Sequence, residues 1–468
     1  MEKTATTAVV DFVFDAALDA FPADVVAEGK RCVIDGIAVI LAGSSSPASA
    51  ILHRQVRAAG GTADATVLGA DTFSAPAALA ARANALSGHA LDFDDTQLSR
   101  WPDRIFGLLT HPTIPPLSAS LALGERLGAT GASLLESFLT GFEVECKIAE
   151  AIHPQHYKQG FHTSGTIGAL GAATASAKML GLDETQTRMA IGIAASLASG
   201  IRAGFGTMTK PLHVGRAAEN GIIAAELASM GFTADANALD GQWGFFQVTA
   251  GGFDADKIIG CLGTPHSIVD PGVSIKPYPC GSLSHPSADA MLGLVVDNDV
   301  KPEQINKIRV RAGSNILNPL RYGVARNELE AKFSLPFVMS AIALRRRAGI
   351  EEFHDDFVLS GAVQEMMKKV ETVRDPEIEA KGTDRMRSVI EIHLQDGRRL
   401  ERAADVYRGG PERPFTRAEL HGKFSDCAKG VLSEERMRGA LEVLERLESV
   451  ESVQVLVDAL TPPAAARR

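Results

Sequence analysis

TSGTIGALGAATASAKML, residues 163–180, is the stretch on which the fold turns. Three glycines sit among alanines, serines and threonines in a segment with no proline. Each glycine lowers helix propensity by ~1 kcal/mol relative to alanine, so a helix here needs an unusually close backbone approach from its neighbours in compensation. AIGIAASLASG, residues 190–200, has the same texture. Helices of this kind belong in a crowded interior, and they imply further helices around them.

Those further helices are predicted on both sides. Residues 24–42 place Val25, Val26, Val33, Ile34, Ile37, Val39 and Ile40 on a broad stripe of helical period, stopped by Gly43. Others are expected at 76–87, with Pro76 suited to the first helical position, and at 114–127, 131–152, 184–199, 211–230 and 234–240. Asp183 and Gln186 carry the spacing of a capping box. From about 269 the pattern changes. KIRVRAG (307–313) and SVIEIHLQDGRRLERAADV (388–406) alternate apolar and polar residues, with Asp396-Gly397 as a hairpin turn signal, and helical patterns at 284–298 and 329–345 lie between them. After RGGPERP, helices return at 416–430, 433–449 and 451–459, and the closing TPPAAARR is expected to be disordered. The predicted fold is mainly α: an all-helical domain from residues 1–268 and 407–468, with an α+β domain, 269–406, inserted between the two parts.

Bulk properties exclude several functions. A chain of 468 residues is long enough for two substantial cores. With a net charge of -10 and no long basic run, nucleic acid is not an expected partner. The five cysteines, Cys32, Cys146, Cys261, Cys280 and Cys427, are scattered singly, which fits a reducing compartment and neither a zinc site nor a disulfide framework. The long uncharged stretches, 105–124 and 159–177, are broken by prolines or rich in Gly, Ser and Thr, and the N-terminus lacks signal-peptide architecture. A soluble, cytoplasmic protein is expected.

The chemistry concentrates in GHALDFDDT, residues 88–96. Its aspartates fall near a predicted helix end and repel one another, so a cation, a proton or a set of donors must offset them. A solvated, capping helix end, a divalent-metal site and a general acid/base site all fit the motif alone. His111, in THPT, and His162, in GFHTSG, are loop histidines whose unperturbed pKa suits proton transfer. In GFGTMTKPLHVG (204–215), Pro211 suits a first helical position, which sets Lys210 at a helix N-terminus. An ammonium there has the wrong sign for helix stability and, together with free N–H groups, the right sign for an anion. Lys276 sits in SIKPYPCGSLSH, a loop stiffened by prolines that ends at His285. No phosphate loop, dinucleotide fingerprint or nucleophile elbow accompanies these residues. Acids, imidazoles and amines together suit a small polycarboxylate, with the lysines neutralising its charge and a histidine or aspartate moving the proton beside a carboxylate. A magnesium-dependent diphosphate enzyme would need a second acidic motif on a facing helix, and none is convincing. A non-catalytic helical binding protein is the third alternative.

GHALDFDDT, HPT, GFHTSGTIGALGAATASAKMLGL, GTMTKPLHVGRAAENG, KPYPCGSLSH and AKFSLPF (331–337) together resemble, in this order, the MmgE/PrpD family of 2-methylcitrate dehydratases, cis-aconitate decarboxylases and iminodisuccinate epimerases. The resemblance implies a helical domain with an inserted lid domain, a homodimer, and a lyase acting on a di- or tricarboxylic acid without metal or organic cofactor, an epimerase being the alternative. It puts Asp92, Thr96, His111, His162, Lys210 and Lys276 at the site, with His285 beside them. His162 or Asp92 is then the base, His111 the partner acid, and the lysines bind carboxylates. The link QLSRWPDRIFGLLT, residues 97–110, is longer than the resemblance leads one to expect, and its Arg100 and Arg104 are further candidates for substrate contact. Cys280 and Gly281 after PYP depart from the residues associated with the two lyases, so the substrate cannot be copied from the resemblance.

Overall fold

The structure is a computed structural model and describes residues 3–97, 110–382 and 385–461. Arg100, Arg104 and all but the ends of the 97–110 link lie outside the described residues, as does the C-terminal tail from Pro462. The described chain divides into two compact units, one comprising the residues up to 97, 110–273 and 416–461, the other 274–415.

The first unit is helical. Its first ten helices are α1 (Ala5–Asp15), α2 (Ala23–Gly43), α3 (Pro47–Ala59), α4 (Ala77–Ala90), α5 (Ile114–Leu127), α6 (Gly131–Ile152), the single turn α7 (Gln155–Lys158), α8 (Thr163–Met179), α9 (Glu184–Leu197) and α10 (Thr209–Ser229). The small-residue helix α8 is buried from Thr163 to Ala177 and packs against α5, α6, α9 and α10. The glycines are what permit this. A Cβ on Gly221 of α10 would stand 2.4 Å from Ala172 Cβ of α8, and one on Gly141 of α6 would stand 2.4 Å from the Gly171 carbonyl oxygen. The helix axes can approach only where side chains are absent, so the propensity lost to glycine is recovered as tight packing. Asp183 and Gln186 form the expected capping box at the start of α9.

The chain returns to this unit at its end. Helices Arg417–Ala428, Glu434–Glu445 and Val453–Leu460 follow the second unit, and the first of them packs on α2. There Lys423 Nζ lies 2.7 Å from Asp35 Oδ1 and donates to the Phe93 carbonyl at 2.9 Å, with its ammonium 3.9 Å from the Phe93 ring centroid.

Three sequence expectations need correction. Residues 234–240 form turns, not a helix, and a short helix follows at Phe245–Ala250. Asp235 accepts from the Asn237 N–H at 2.8 Å, a local turn that competes with a helix, while Asp240 accepts from Ala5 N (2.7 Å) and Thr6 Oγ1 (2.6 Å) at the start of α1. Pro76 is the residue before α4, not its first. Helix α10 begins at Thr209, so Lys210 lies inside its first turn instead of ahead of it. Helix α3 and the Ala65–Val67/Phe73–Ala75 hairpin were not anticipated.

The second unit carries a four-stranded sheet in the order Val370–Arg374, Ile305–Ala312, Ser388–Leu394, Arg399–Ala404. The first pair is parallel and the other two antiparallel. Ile308, Val310, Ile390 and Ile392 are fully buried, as period-two alternation predicts, and helices His285–Asp297 and Leu335–Arg345 pack against the sheet. The expected Asp396-Gly397 turn joins the last two strands, with Gly397 at φ 88°. The edge strand Val370–Arg374 was not foreseen, since its VETVR sequence is short and its residues are only half buried or exposed.

Candidate active site

The three aspartates of the acidic motif meet three different answers. Helix α4 ends at Ala90, and two residues later Asp92 turns the chain with φ 53°, a left-handed conformation usually given to glycine after a helix. Its carboxylate pairs with the Lys210 ammonium, and the two side chains are only 6% and 7% exposed. The ammonium that has the wrong sign for the α10 dipole is thus held by a buried carboxylate. Asp94 faces histidines. A carboxylate can only accept, so His89 Nδ1 carries the hydrogen that it shares with Asp94 Oδ2 at 2.8 Å and Oδ1 at 2.9 Å. His111 Nδ1 lies 3.3 Å from the same Asp94 Oδ2 and donates to the Asp95 carbonyl at 2.9 Å. Among the described residues Asp95 has no ionic partner so close. Burial pushes its carboxyl up to about 8, against the lowering effect of the Thr113 hydroxyl, which donates to Oδ2 at 2.6 Å; Asp35 and Asp94 push it up further. One acid is matched by an ammonium, one by imidazole N–H groups and one by a proton.

His162 immediately precedes α8 and is 3% exposed. Its Nδ1 lies 3.1 Å from Nδ1 of His213, in the first turns of α10, and Phe205 meets its ring edge-on at 5.0 Å. The rings of His89 and His162 are 5.6 Å apart and those of His89 and His111 are 4.6 Å apart, so three imidazoles cluster. Burial, then the Lys210 ammonium, hold His162 well below the ordinary imidazole range. Burial takes His89 down to about 3. For Asp94, burial alone would raise the carboxyl, but His89 and His111 hold it well below the usual carboxylate range. At neutral pH the cluster therefore contains uncharged His89 and His162, anionic Asp94 and neutral Asp95.

Behind His111 the polar contacts continue into the core. Ser164 Oγ accepts from the His111 backbone N–H at 2.9 Å, and Thr110 Oγ1 donates to Glu145 Oε1 at 2.7 Å. Burial keeps the Glu145 carboxyl well above its usual range. Among the described residues, His89, Asp94 and His111 form the one group whose imidazole and carboxylate atoms all lie within 4.8 Å of one another, the spacing a metal ion would need. Two of these residues are already joined by hydrogen bonds, His89 Nδ1 to the Asp94 carboxylate.

Of the residues singled out from sequence, Asp92, His111, His162 and Lys210 gather in this cluster. Thr96 is buried on the same segment as Asp92, and its hydroxyl makes no hydrogen bond to a described residue. Lys276 and His285 belong to the second unit, where both are buried. There His285 opens the His285–Asp297 helix, and its ring meets Tyr278 and Tyr407 edge-on. Cys280 is fully buried, its Sγ 3.2 Å from Ser284 Oγ. Sequence reasoning missed His89 and His213. The signal for His213 was its place three residues after Lys210, which puts both on one face of α10.

No described helix is long and apolar enough to cross a membrane. A helical unit whose buried imidazoles, carboxylates and ammonium are drawn from the ends of α4, α8 and α10 defines a class that sequence comparison identifies: residues 7–258 match the MmgE/PrpD N-terminal domain and residues 278–449 the MmgE/PrpD C-terminal domain, and the chain belongs to the MmgE/PrpD family. Among particular relatives, the chain is 28% identical to the human cis-aconitate decarboxylase, over 94% of this chain and 91% of the relative. It is 28% identical to the mouse enzyme of the same name (99% and 95% covered) and 24% identical to that of Aspergillus terreus (98% and 96%).

Proposed function

We propose that the chain is a lyase that makes and quenches negative charge on the carbon beside a carboxylate of a small di- or tricarboxylic acid. The observation that carries this reading is the uncharged, buried His162 imidazole beside the Lys210 ammonium. A neutral imidazole can accept a proton from carbon, and an ammonium already in place stabilises the aci-carboxylate that results, where reorganising water would not. In a dehydratase the imidazole removes the proton and hydroxide leaves from the neighbouring carbon. In a decarboxylase the C–C bond to a departing carboxylate breaks, CO2 leaves, its electron pair moves into the allylic system, and His162, having taken up a proton from water to balance the charge, passes it to the carbon beside the remaining carboxylate. The relatives' names favour the second course, with cis-aconitate as the first substrate to try.

The geometry of the first unit supports the following roles. His162 exchanges the proton with carbon, Lys210 receives a substrate carboxylate, Asp92 holds Lys210, and the Thr96 hydroxyl supplies a donor. His111, steadied by Asp94 and the Asp95 carbonyl, is the partner acid. Carboxylate binding by Lys276 and a contact from His285 join the proposal through the family resemblance, as do a homodimer and residence in the cytoplasm.

The test is to incubate the purified chain with cis-aconitate, with methylcitrate stereoisomers and with iminodisuccinate in deuterated water. CO2 release or a change in alkene absorbance, with deuterium at the carbon beside a carboxylate, supports a lyase. Deuterium uptake with stereochemical scrambling and no net loss of CO2 or water would replace it by an epimerase. No turnover or exchange with any of the three would sink the reading for these acids.

A further inference from the structure

His213 has no place in the proton transfer described so far, yet its seat is built with care. It stands on α10 one turn after Lys210, and three glycines, one on α8 and two on the connection between α9 and α10, lie against it. A Cβ on Gly165 of α8 would stand 2.8 Å from His213 Cβ, one on Gly200 would stand 3.1 Å from His213 Cγ, and one on Gly204 would stand 3.3 Å from His213 Cε1. Gly200 also sits at φ 140°, which L side chains rarely adopt. These contacts back a half-buried ring on one side and hold its Nδ1 3.1 Å from the Nδ1 of His162.

Two Nδ1 atoms at that separation share one hydrogen. Either His162 donates and keeps its lone pair at Nε2, or His213 donates and the hydrogen of neutral His162 moves to Nε2. Only the first arrangement leaves His162 with a basic Nε2 for a carbon-bound proton. We infer that His213 is a positioning residue whose Nδ1 accepts the Nδ1 hydrogen of His162 and so fixes the tautomer in which His162 Nε2 is the base. This rests on the lyase reading, whose need for a basic Nε2 selects the first arrangement. The charged and titratable groups facing the pair agree with it. The Lys210 ammonium, together with burial, lowers both imidazoles, and His89 and His111 add to the effect on His162, so both rings are neutral at pH 7 and the shared hydrogen is the one between them. When Nε2 takes the substrate proton, the Nδ1 hydrogen stays in place and donates more strongly to His213, with no atom having to move.

The test uses full-length protein with 15N-labelled histidine, as wild type and as His213→Asn and His213→Leu. The asparagine oxygen can stand where His213 Nδ1 stands and accept the same hydrogen. Leucine fills the seat with no acceptor. Imidazole 15N spectra are expected to show His162 protonated at Nδ1 in the wild type and in His213→Asn, and at Nε2 in His213→Leu. With methylcitrate, whose turnover begins with removal of a carbon-bound proton, kcat of His213→Leu should fall ~10–100-fold with KM unchanged, and His213→Asn should restore most of it. A wild-type His162 protonated at Nε2 overturns the inference, and so does equal loss in the two variants. Should no substrate be turned over, the lyase reading fails while the wild-type spectrum still decides the tautomer.

Discussion

Lys210, in the first turn of α10, pairs with the carboxylate of Asp92, which holds its place just past the end of α4 in a left-handed backbone conformation at φ 53°. That conformation costs a non-glycine residue ~1–2 kcal/mol, and breaking a buried ion pair costs ~3–5 kcal/mol, so the pair outweighs the strain. Asp92→Gly relieves the backbone but removes the carboxylate that pairs with the Lys210 ammonium, and it should destabilise the chain on balance by a few kcal/mol in denaturant titration. Combining Asp92→Asn with Lys210→Met removes both charges and should be more stable than Asp92→Asn alone, with turnover still lost. A double variant no more stable than Asp92→Asn would show that the two residues are not coupled.

Asp94 is the acceptor for His89 Nδ1, with His111 Nδ1 3.3 Å away. Asp94→Asn keeps the shape but offers an N–H on one side, which leaves one imidazole facing a donor. Turnover should drop by ~10–100-fold, with the chain still folded by circular dichroism. Unchanged turnover in Asp94→Asn would remove the motif's second aspartate from the proton-transfer machinery.

Asp95 makes stability depend on pH in an unusual direction. Its native carboxyl titrates at about 8, whereas an unfolded aspartate titrates near 3.9. The folded state therefore binds the proton more tightly, so this group's contribution is complete below about pH 4 and declines as the pH rises toward 8. Asp95→Asn should melt at a higher temperature than wild type at pH 8, and the gap should close as the pH is lowered. Melting curves across that range would refute the assignment if the gap instead widened toward acid.

Lys423 reaches from a C-terminal helix to Asp35 on α2 and to the Phe93 carbonyl inside the acidic motif. Lys423→Met leaves Asp35 buried without its ammonium and Phe93 without its donor. A loss of ~3–5 kcal/mol is expected, together with reduced turnover, because the brace bears on the residue between Asp92 and Asp94. Wild-type stability in Lys423→Met, measured by chemical denaturation, would count against the brace.

Much of this was legible because it is written locally. The glycine spacing of 163–180 announces close helix packing, and alternation in 307–313 and 388–406 announces strands; the structure has both. Asp92, His111, His162 and Lys210 stood out because charged or titratable groups in an apolar, proline-punctuated context need a reason. His89 and His213 did not, since each reads as an ordinary member of a helical pattern until another element brings a partner to its ring. The Asp35–Lys423 contact is invisible for the same reason: which helix end faces which depends on the closed topology. The helix expected at 234–240 failed because Asp240 is committed to the start of α1, a demand made from the far end of the unit.

The three helices that complete the first unit follow the second unit in the chain. The second unit, residues 274–415 of the described chain, is made before Lys423, and the acidic motif, made earlier still, waits for that residue. A nascent or truncated chain ending before residue 416 thus holds Asp35 and Phe93 without their ammonium. The brace is therefore complete only after the segment beyond the second unit has been made, which couples its assembly to that segment.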